Sequence, residues 1–314
     1  MRFFNGLQAV PAGFGPSAVA VGKFDGIHLG HRGMLAQLHE RADAAGLTAT
    51  VVTFDRNPLS LLQPEKCPPN LVSNPQKVEL LGSADVDATV MVEFTLAFSG
   101  LDPEEFVKRV LVDALDAKLV LAGDDFRFGS KGKGDLGMLR EYGEHLGFEV
   151  VAVDDVHVGD ESRRVSSTWI REALADGDVR TAARLLGRLP SVRSRVVHGE
   201  QRGRELGYPT ANLDPDIEGL LPVDAVYAAW AYVDGERYGA AVSIGNNPTF
   251  DGIPQHQVEA HLLDQKLDLY GRDIELAFVE RIRPMRKFDS VESLVEQLQR
   301  DEQQIREVLA AEAG

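Results

Sequence analysis

Cysteine is almost absent from this 314-residue chain: Cys67 stands alone. A single thiol excludes an intrachain disulfide and a cysteine-rich metal cluster, and it suits a reducing compartment. Long apolar runs are also missing. No stretch approaches the ~20 residues a membrane helix needs, so a membrane-spanning protein is excluded. Met1–Gly15 has no continuous apolar core of secretory type, which predicts a cytoplasmic N terminus and a cytoplasmic protein. Positive charge is scarce, 33 Lys and Arg against 49 Asp and Glu for a net −16, which argues against a general nucleic-acid binder. It does not exclude a nucleotide, because charges beyond ~8 Å are largely screened at physiological salt and a local basic pocket decides.

What is present is ordinary globular composition, 44% hydrophobic and 26% charged, at a length that predicts two domains. The first half alternates strand-like and helix-like segments and predicts a parallel α/β sheet. Ser17–Val21, Leu47–Phe54, Val86–Val92, Lys118–Ala122 and Phe148–Val153 read as strands. Leu29–Ala45 has helical spacing and stops at Gly46, and Asp102-Pro103-Glu104-Glu105 begins a helix with an N-cap, a proline at N1 and acids in the first turn, running to about Leu115. Ser166-Ser167-Thr168 caps a helix, and Asp178–Leu186 forms another. Beyond Pro190 the texture changes to short alternating runs separated by Gly, Asp and Asn, which predicts an antiparallel β-barrel. Ser290–Ala311 places its apolar residues at helical spacing. The predicted domains are residues 1–187 and 188–314.

Two blocks carry chemistry. The first, Gly22-Lys23-Phe24-Asp25-Gly26-Ile27-His28-Leu29-Gly30-His31, falls where a strand of an open parallel sheet turns into a helix, the end at which ligands bind. Glycine allows close backbone approach to a phosphate, while helix N-terminal amides and two imidazoles can stabilise charge developing on it. Taken alone, the two histidines fit a surface pair beside a turn equally well. The decapeptide resembles the signature of HxGH nucleotidyltransferases, in the form found in the bacterial bifunctional riboflavin kinase/FMN adenylyltransferase family. The resemblance implies catalytic roles for His28 and His31 and nucleotide contacts from Gly22, Phe24, Asp25, Gly26 and Gly30. It extends to Asp125-Phe126-Arg127-Phe128 in a basic Gly-rich loop with Lys131 and Lys133. Asp125 departs from the pattern, where relatives often carry asparagine. Arg164 to Arg171 is similar to the family's SSTxIR element, in which Ser166, Ser167 and Thr168 hold phosphate oxygens while Arg164 and Arg171 neutralise leaving pyrophosphate. Phe54, Asn57, Pro58 and Phe128 are the implied flavin contacts.

The second block runs from Gly199 through Arg202, Gly203, Arg204, Gly207 and Pro209 to Thr210-Ala211-Asn212. Its glycines suit a flexible flap over phosphates, and its proline a fixed turn into a stiffer strand; for the tetrapeptide alone a purely structural Gly-rich turn is the better fit. It resembles the PTAN motif of riboflavin kinases, which implies that Thr210 and Asn212 hold Mg²⁺ on ATP and that Glu259, in Val258-Glu259-Ala260-His261, is the base for the ribityl 5′-hydroxyl. Asn247-Pro248-Thr249-Phe250 matches a further family element. The implied substrates are ATP, riboflavin and FMN, with neither nucleic acid nor membrane as partner; the oligomeric state is left open. Two alternatives keep the fold: an adenylyltransferase whose barrel only binds flavin, and a flavin carrier without turnover.

Overall fold

The computed structural model describes residues 1–158, 163–199, 207–245, 257–265 and 267–312, which form two compact units, Met1–Val165 and Ser166–Gly314. The contact-based division therefore falls ahead of the helix capped by Ser166.

The first unit is built on six parallel strands, β1 (Arg2–Asn5), β2 (Ser17–Val21), β3 (Thr48–Phe54), β4 (Ala88–Val92), β5 (Ala117–Gly123) and β6 (Glu149–Val153). β2 and β4 are buried along their whole length, as a parallel strand covered on both faces requires. Alternation along β2 sorts its side chains between two cores. Val19 and Val21 join Val52, Val90, Leu111 and Val120, whereas Ala18 and Ala20 join Leu35, Leu38, Val51 and Leu121. The helices are α1 (Leu29–Ala45), α2 (Pro58–Leu62), α3 (Asn74–Gly82), α4 (Leu96–Ser99), α5 (Pro103–Phe106) and α6 (Leu136–Leu146). α3 carries a complete capping box between Ser73 and Gln76, an arrangement in which the N-cap contributes about 1 kcal/mol.

The strand order is β1-β4-β3-β2-β5-β6. From β2 the chain steps outward through β3 to β4 and then returns to place β5 on the other side of β2. The order reverses at β2, so the loops leaving the carboxyl ends of β2 and β5 flank a crevice. Those loops are Gly22–His28 and the basic segment after Gly123.

Two features differ from the sequence expectation. β1 lies within Met1–Gly15, outside the five segments read as strands; it is short and mostly exposed, so it leaves no alternating signature, and only its pairing with β4 defines it. The helix predicted from Asp102 to about Leu115 begins regularly and then continues over Val107–Asp113 in wider π turns, with Val107, Val110 and Leu111 still facing the core.

In the second unit α7 (Ser167–Asp176) and α8 (Val179–Leu186) precede a closed antiparallel barrel of β7 (Ser191–Val197), β8 (Ala211–Leu213), β9 (Ala225–Val233), β10 (Glu236–Gly245), β11 (Gln257–Leu262) and β12 (Asp273–Pro284), in the order β10-β11-β8-β7-β12-β9. Closure removes free strand edges. The last helix, α9 (Val291–Glu312), packs Ile305 and Leu309 against Ala228, Leu263 and Val279. A largely buried pair, Arg283 with Asp301 at 2.8 Å, fixes the helix to β12. No described helix is long and apolar enough to cross a membrane.

Candidate active sites

The loop after β2 is held in an uncommon backbone conformation. Phe24 and Ile27 both take positive φ, 47° and 38°, with Gly26 between them at 84°. Large side chains adopt this region only where the surroundings impose it, and here both are fully buried in the core beneath the loop. Phe24 therefore offers only its backbone to a ligand. Asp25 is also buried, and its Oδ1 accepts from the Leu71 amide at 2.9 Å, which ties this loop to the segment before α3.

His28 is the N-cap of α1, and its Nδ1 accepts from the His31 amide at 3.3 Å. The two imidazoles stack with centroids 3.8 Å apart and planes 13° from parallel, and Phe24 packs against His31 at 5.1 Å. A Cβ at Gly30 would stand 3.1 Å from Cε1 and Nδ1 of His28, so glycine is what lets that ring lie over the start of the helix. Burial first, and then the positive charge of His28, Lys23 and Lys77, push His31 well below the ordinary imidazole range. His31 is therefore neutral at physiological pH. Its buried Nδ1 has no hydrogen-bond partner among the described residues.

Across the crevice, Arg164 donates to Asp125 at 2.8 Å and to Asp155 at 3.2 Å, and these acids raise its already high pKa. Arg127 is exposed and bonds only the adjoining Phe126 carbonyl. Ser166 accepts from the Trp169 amide as the N-cap of α7, and with Ser167, Thr168 and Arg171 it belongs to the second compact unit.

The implied flavin residues are divided. Asn57 caps α2 through Oδ1, with Pro58 at the first helical position. Phe128 is buried, stacked on Phe126 at 5.4 Å and touching Phe106 at 5.5 Å. Phe54 remains partly exposed and meets Phe94 and Phe98 edge-on at 5.5 and 6.1 Å. Phe94, Phe98 and Phe106 complete a continuous aromatic wall that the sequence reading missed. They belong to three separate stretches, the segment after β4, α4 and α5, so no single helix or strand pattern groups them.

In the barrel, the register sets Asn212 directly opposite Glu259, which places two predicted functional side chains on one face at neighbouring-strand distance. Thr210 and Pro209 border a cavity of about 730 Å³ whose wall also includes Val196, Leu262, Asp268 and Tyr270. That volume suits a ligand of cofactor size with a few polar contacts. His261, two residues beyond Glu259, bonds the Pro209 carbonyl through Nδ1 at 2.8 Å and steadies the turn that presents Thr210. Gly199 lies under Asn212: a Cβ there would approach its Cγ to 2.4 Å. Gly207 turns the chain at φ 86°. Arg202, Gly203, Arg204 and Asn247–Phe250 lie outside the described residues.

Thr210 and Asn212 present neutral oxygen donors, and no described cluster of three or more His, Cys, Asp or Glu competes with them for a metal. This donor set fits Mg²⁺, which takes few protein oxygens and retains waters and phosphate ligands.

Comparison with known proteins accounts for both halves. A family model described as FAD synthetase matches residues 12–169, and one described as riboflavin kinase matches residues 186–309. The bifunctional riboflavin kinase/FMN adenylyltransferase of Escherichia coli K12 is 38% identical over 290 residues, covering 92% of this chain and 91% of that protein. The proteins of the same description from Listeria monocytogenes (38% over 293 residues, 93% and 92% covered) and Haemophilus influenzae (33% over 302 residues, 96% and 97%) are similar over the same extent. A crystal structure described as a macrolide-efflux protein from Streptococcus pneumoniae superimposes with a TM-score of 0.85 at 34% identity, covering 97% of this chain and 98% of that one. With both models matched in tandem and full-length relatives of one description, the chain belongs to the bifunctional riboflavin kinase/FMN adenylyltransferase family, whose members make FMN from riboflavin and FAD from FMN with ATP.

Proposed function

We propose that the two reactions are divided between the two candidate sites, with residues 188–314 phosphorylating riboflavin and residues 1–187 adenylylating the product. The facing pair Glu259 and Asn212, next in the chain to Ala260 and Ala211 of the cavity wall, carries this reading. Glu259 accepts the proton of the ribityl 5′-hydroxyl as that oxygen attacks the γ-phosphorus of ATP and ADP leaves. Thr210 and Asn212 would hold Mg²⁺, which when bound supplies charge neutralisation on the ATP phosphates.

In the crevice of the first unit, an oxygen of the FMN phosphate attacks the α-phosphorus of a second ATP and pyrophosphate leaves, giving FAD. A stacked pair this close does not readily carry two charges, so the neutral His31 meets the transferring group as a hydrogen-bonding imidazole beside His28. Positive charge on the phosphates then falls to Lys23 and to Arg164 once it is released from its acids. The aromatic wall from Phe54 to Phe126 offers the isoalloxazine ring an apolar face. The low cysteine content and the absence of a described membrane-length helix support a cytoplasmic enzyme that works on small molecules alone.

The test supplies each substrate separately to the full chain. His31→Ala abolishes FAD formation from FMN and leaves FMN formation from riboflavin intact, and Glu259→Gln does the reverse. Loss of both activities in either folded variant refutes the division.

A further inference from the structure

Lys77 is a buried lysine with no role in either reaction as described so far. It lies in the first turns of α3, its side chain is almost wholly enclosed, with the residue 7% exposed, and its Nζ donates to the Phe54 carbonyl at 3.0 Å. Phe54 ends β3, the strand next to β2, so the ammonium sits at the carboxyl edge of the sheet. Burying a cation is costly unless partners compensate it, and Asp25 and Asp55 are both within electrostatic reach.

These acids are structural members of the surrounding loops. Asp25, in the loop after β2, holds the Leu71 amide at 2.9 Å, and Asp55, after β3, holds the Phe94 amide after β4 at 2.8 Å. Asn74 donates to the Asp55 carbonyl at 2.7 Å, and Thr53 donates to the Lys23 carbonyl at 3.1 Å. Three loops that leave the carboxyl edge of the sheet, those after β2, β3 and β4, together with the start of α3, are thus knit by polar bonds around one buried charge. His31 is coupled to the same charge.

We propose that Lys77 is a positioning residue for adenylyl transfer, whose buried ammonium locks the loops after β2, β3 and β4 into one floor and sets the surroundings of His31. This inference rests on the assignment of adenylyl transfer to the first unit. Lys77 touches no reacting atom; it acts through the Phe54 carbonyl, Asp25 and Asp55. Facing His31 are His28 from its own helix, Lys23 from the loop after β2 and Lys77 from α3, all of which oppose its protonation. Removing Lys77 therefore moves the protonation of His31 to higher pH; loosened packing would act in the same direction, because burial is the largest cause of the depression, so the charge is isolated by comparing Lys77→Arg, which keeps it, with Lys77→Gln, which does not.

The experiment compares Lys77→Met, Lys77→Gln and Lys77→Arg in the full chain. FAD formation from FMN is measured across pH, FMN formation from riboflavin serves as the internal control, and the His31 ring proton is titrated by NMR, assigned with His31→Gln. Lys77→Met is expected to lower kcat/KM for FAD formation by roughly 10- to 100-fold, the scale of a small misplacement at a reacting centre. The control activity stays at the wild-type level, the His31 titration moves up in pH, and Lys77→Arg recovers part of the rate. Should Lys77→Met fail to fold, Lys77→Gln makes the same comparison, since it keeps a donor for Phe54 but no charge. An unshifted His31 titration, or wild-type FAD formation in Lys77→Met, overturns the proposal. A wild-type chain that makes no FAD from FMN yet shows the His31 shift in the variants points to failure of the underlying assignment instead.

Discussion

Arg164 donates to Asp125 at 2.8 Å, and this pairing neutralises the carboxylate that stands where the family pattern has asparagine. The pair is exposed on both sides, at 47% and 68%, so solvent screens it and its worth is about 0.2–1 kcal/mol. An arriving phosphate can displace Asp125 at little cost, yet must still do so before Arg164 is free. Asp125→Asn is therefore expected to lower the KM for ATP in FAD formation by up to about fivefold, the equivalent of 1 kcal/mol, with FMN formation unchanged. Steady-state kinetics in ATP decide it: an unchanged or higher KM removes the competing role.

The depressed pKa of His31 makes folding depend on pH. Above the ordinary value of 6.5 the ring is neutral both folded and unfolded, and it contributes no slope. As pH falls below 6.5 the unfolded ring takes up a proton that the folded ring refuses, so stability declines until the lower folded value is reached, where the loss levels off. The melting midpoint of the first unit should fall between pH 7 and 5, and fall less in His31→Asn. Calorimetry with equal slopes in the two proteins contradicts the buried neutral imidazole.

Gly199 lies so close to Asn212 that an added methyl must push the carboxamide aside. The barrel strands themselves do not include Gly199, so Gly199→Ala should fold normally. Losing one polar contact worth about 1.5 kcal/mol raises the KM for MgATP in FMN formation by roughly tenfold and leaves FAD formation from FMN untouched. Wild-type kinase kinetics in this variant would place Asn212 outside the ATP site.

From its residues alone this chain determined an α/β sheet ahead of an antiparallel barrel, because burial alternation, caps and turn residues are local patterns. The helix begun at Asp102 and the His28-to-His31 turn are legible for that reason. Only the tertiary structure decided that Asn212 faces Glu259, that Asp125 is held by Arg164, that Phe24 and Phe128 bury their rings in the core, and that Lys77 bonds the Phe54 carbonyl at the end of β3. Each of these is a pairing between residues distant in sequence, set by strand register and by which face of the sheet a side chain joins, and neither quantity is written in any local stretch of the chain.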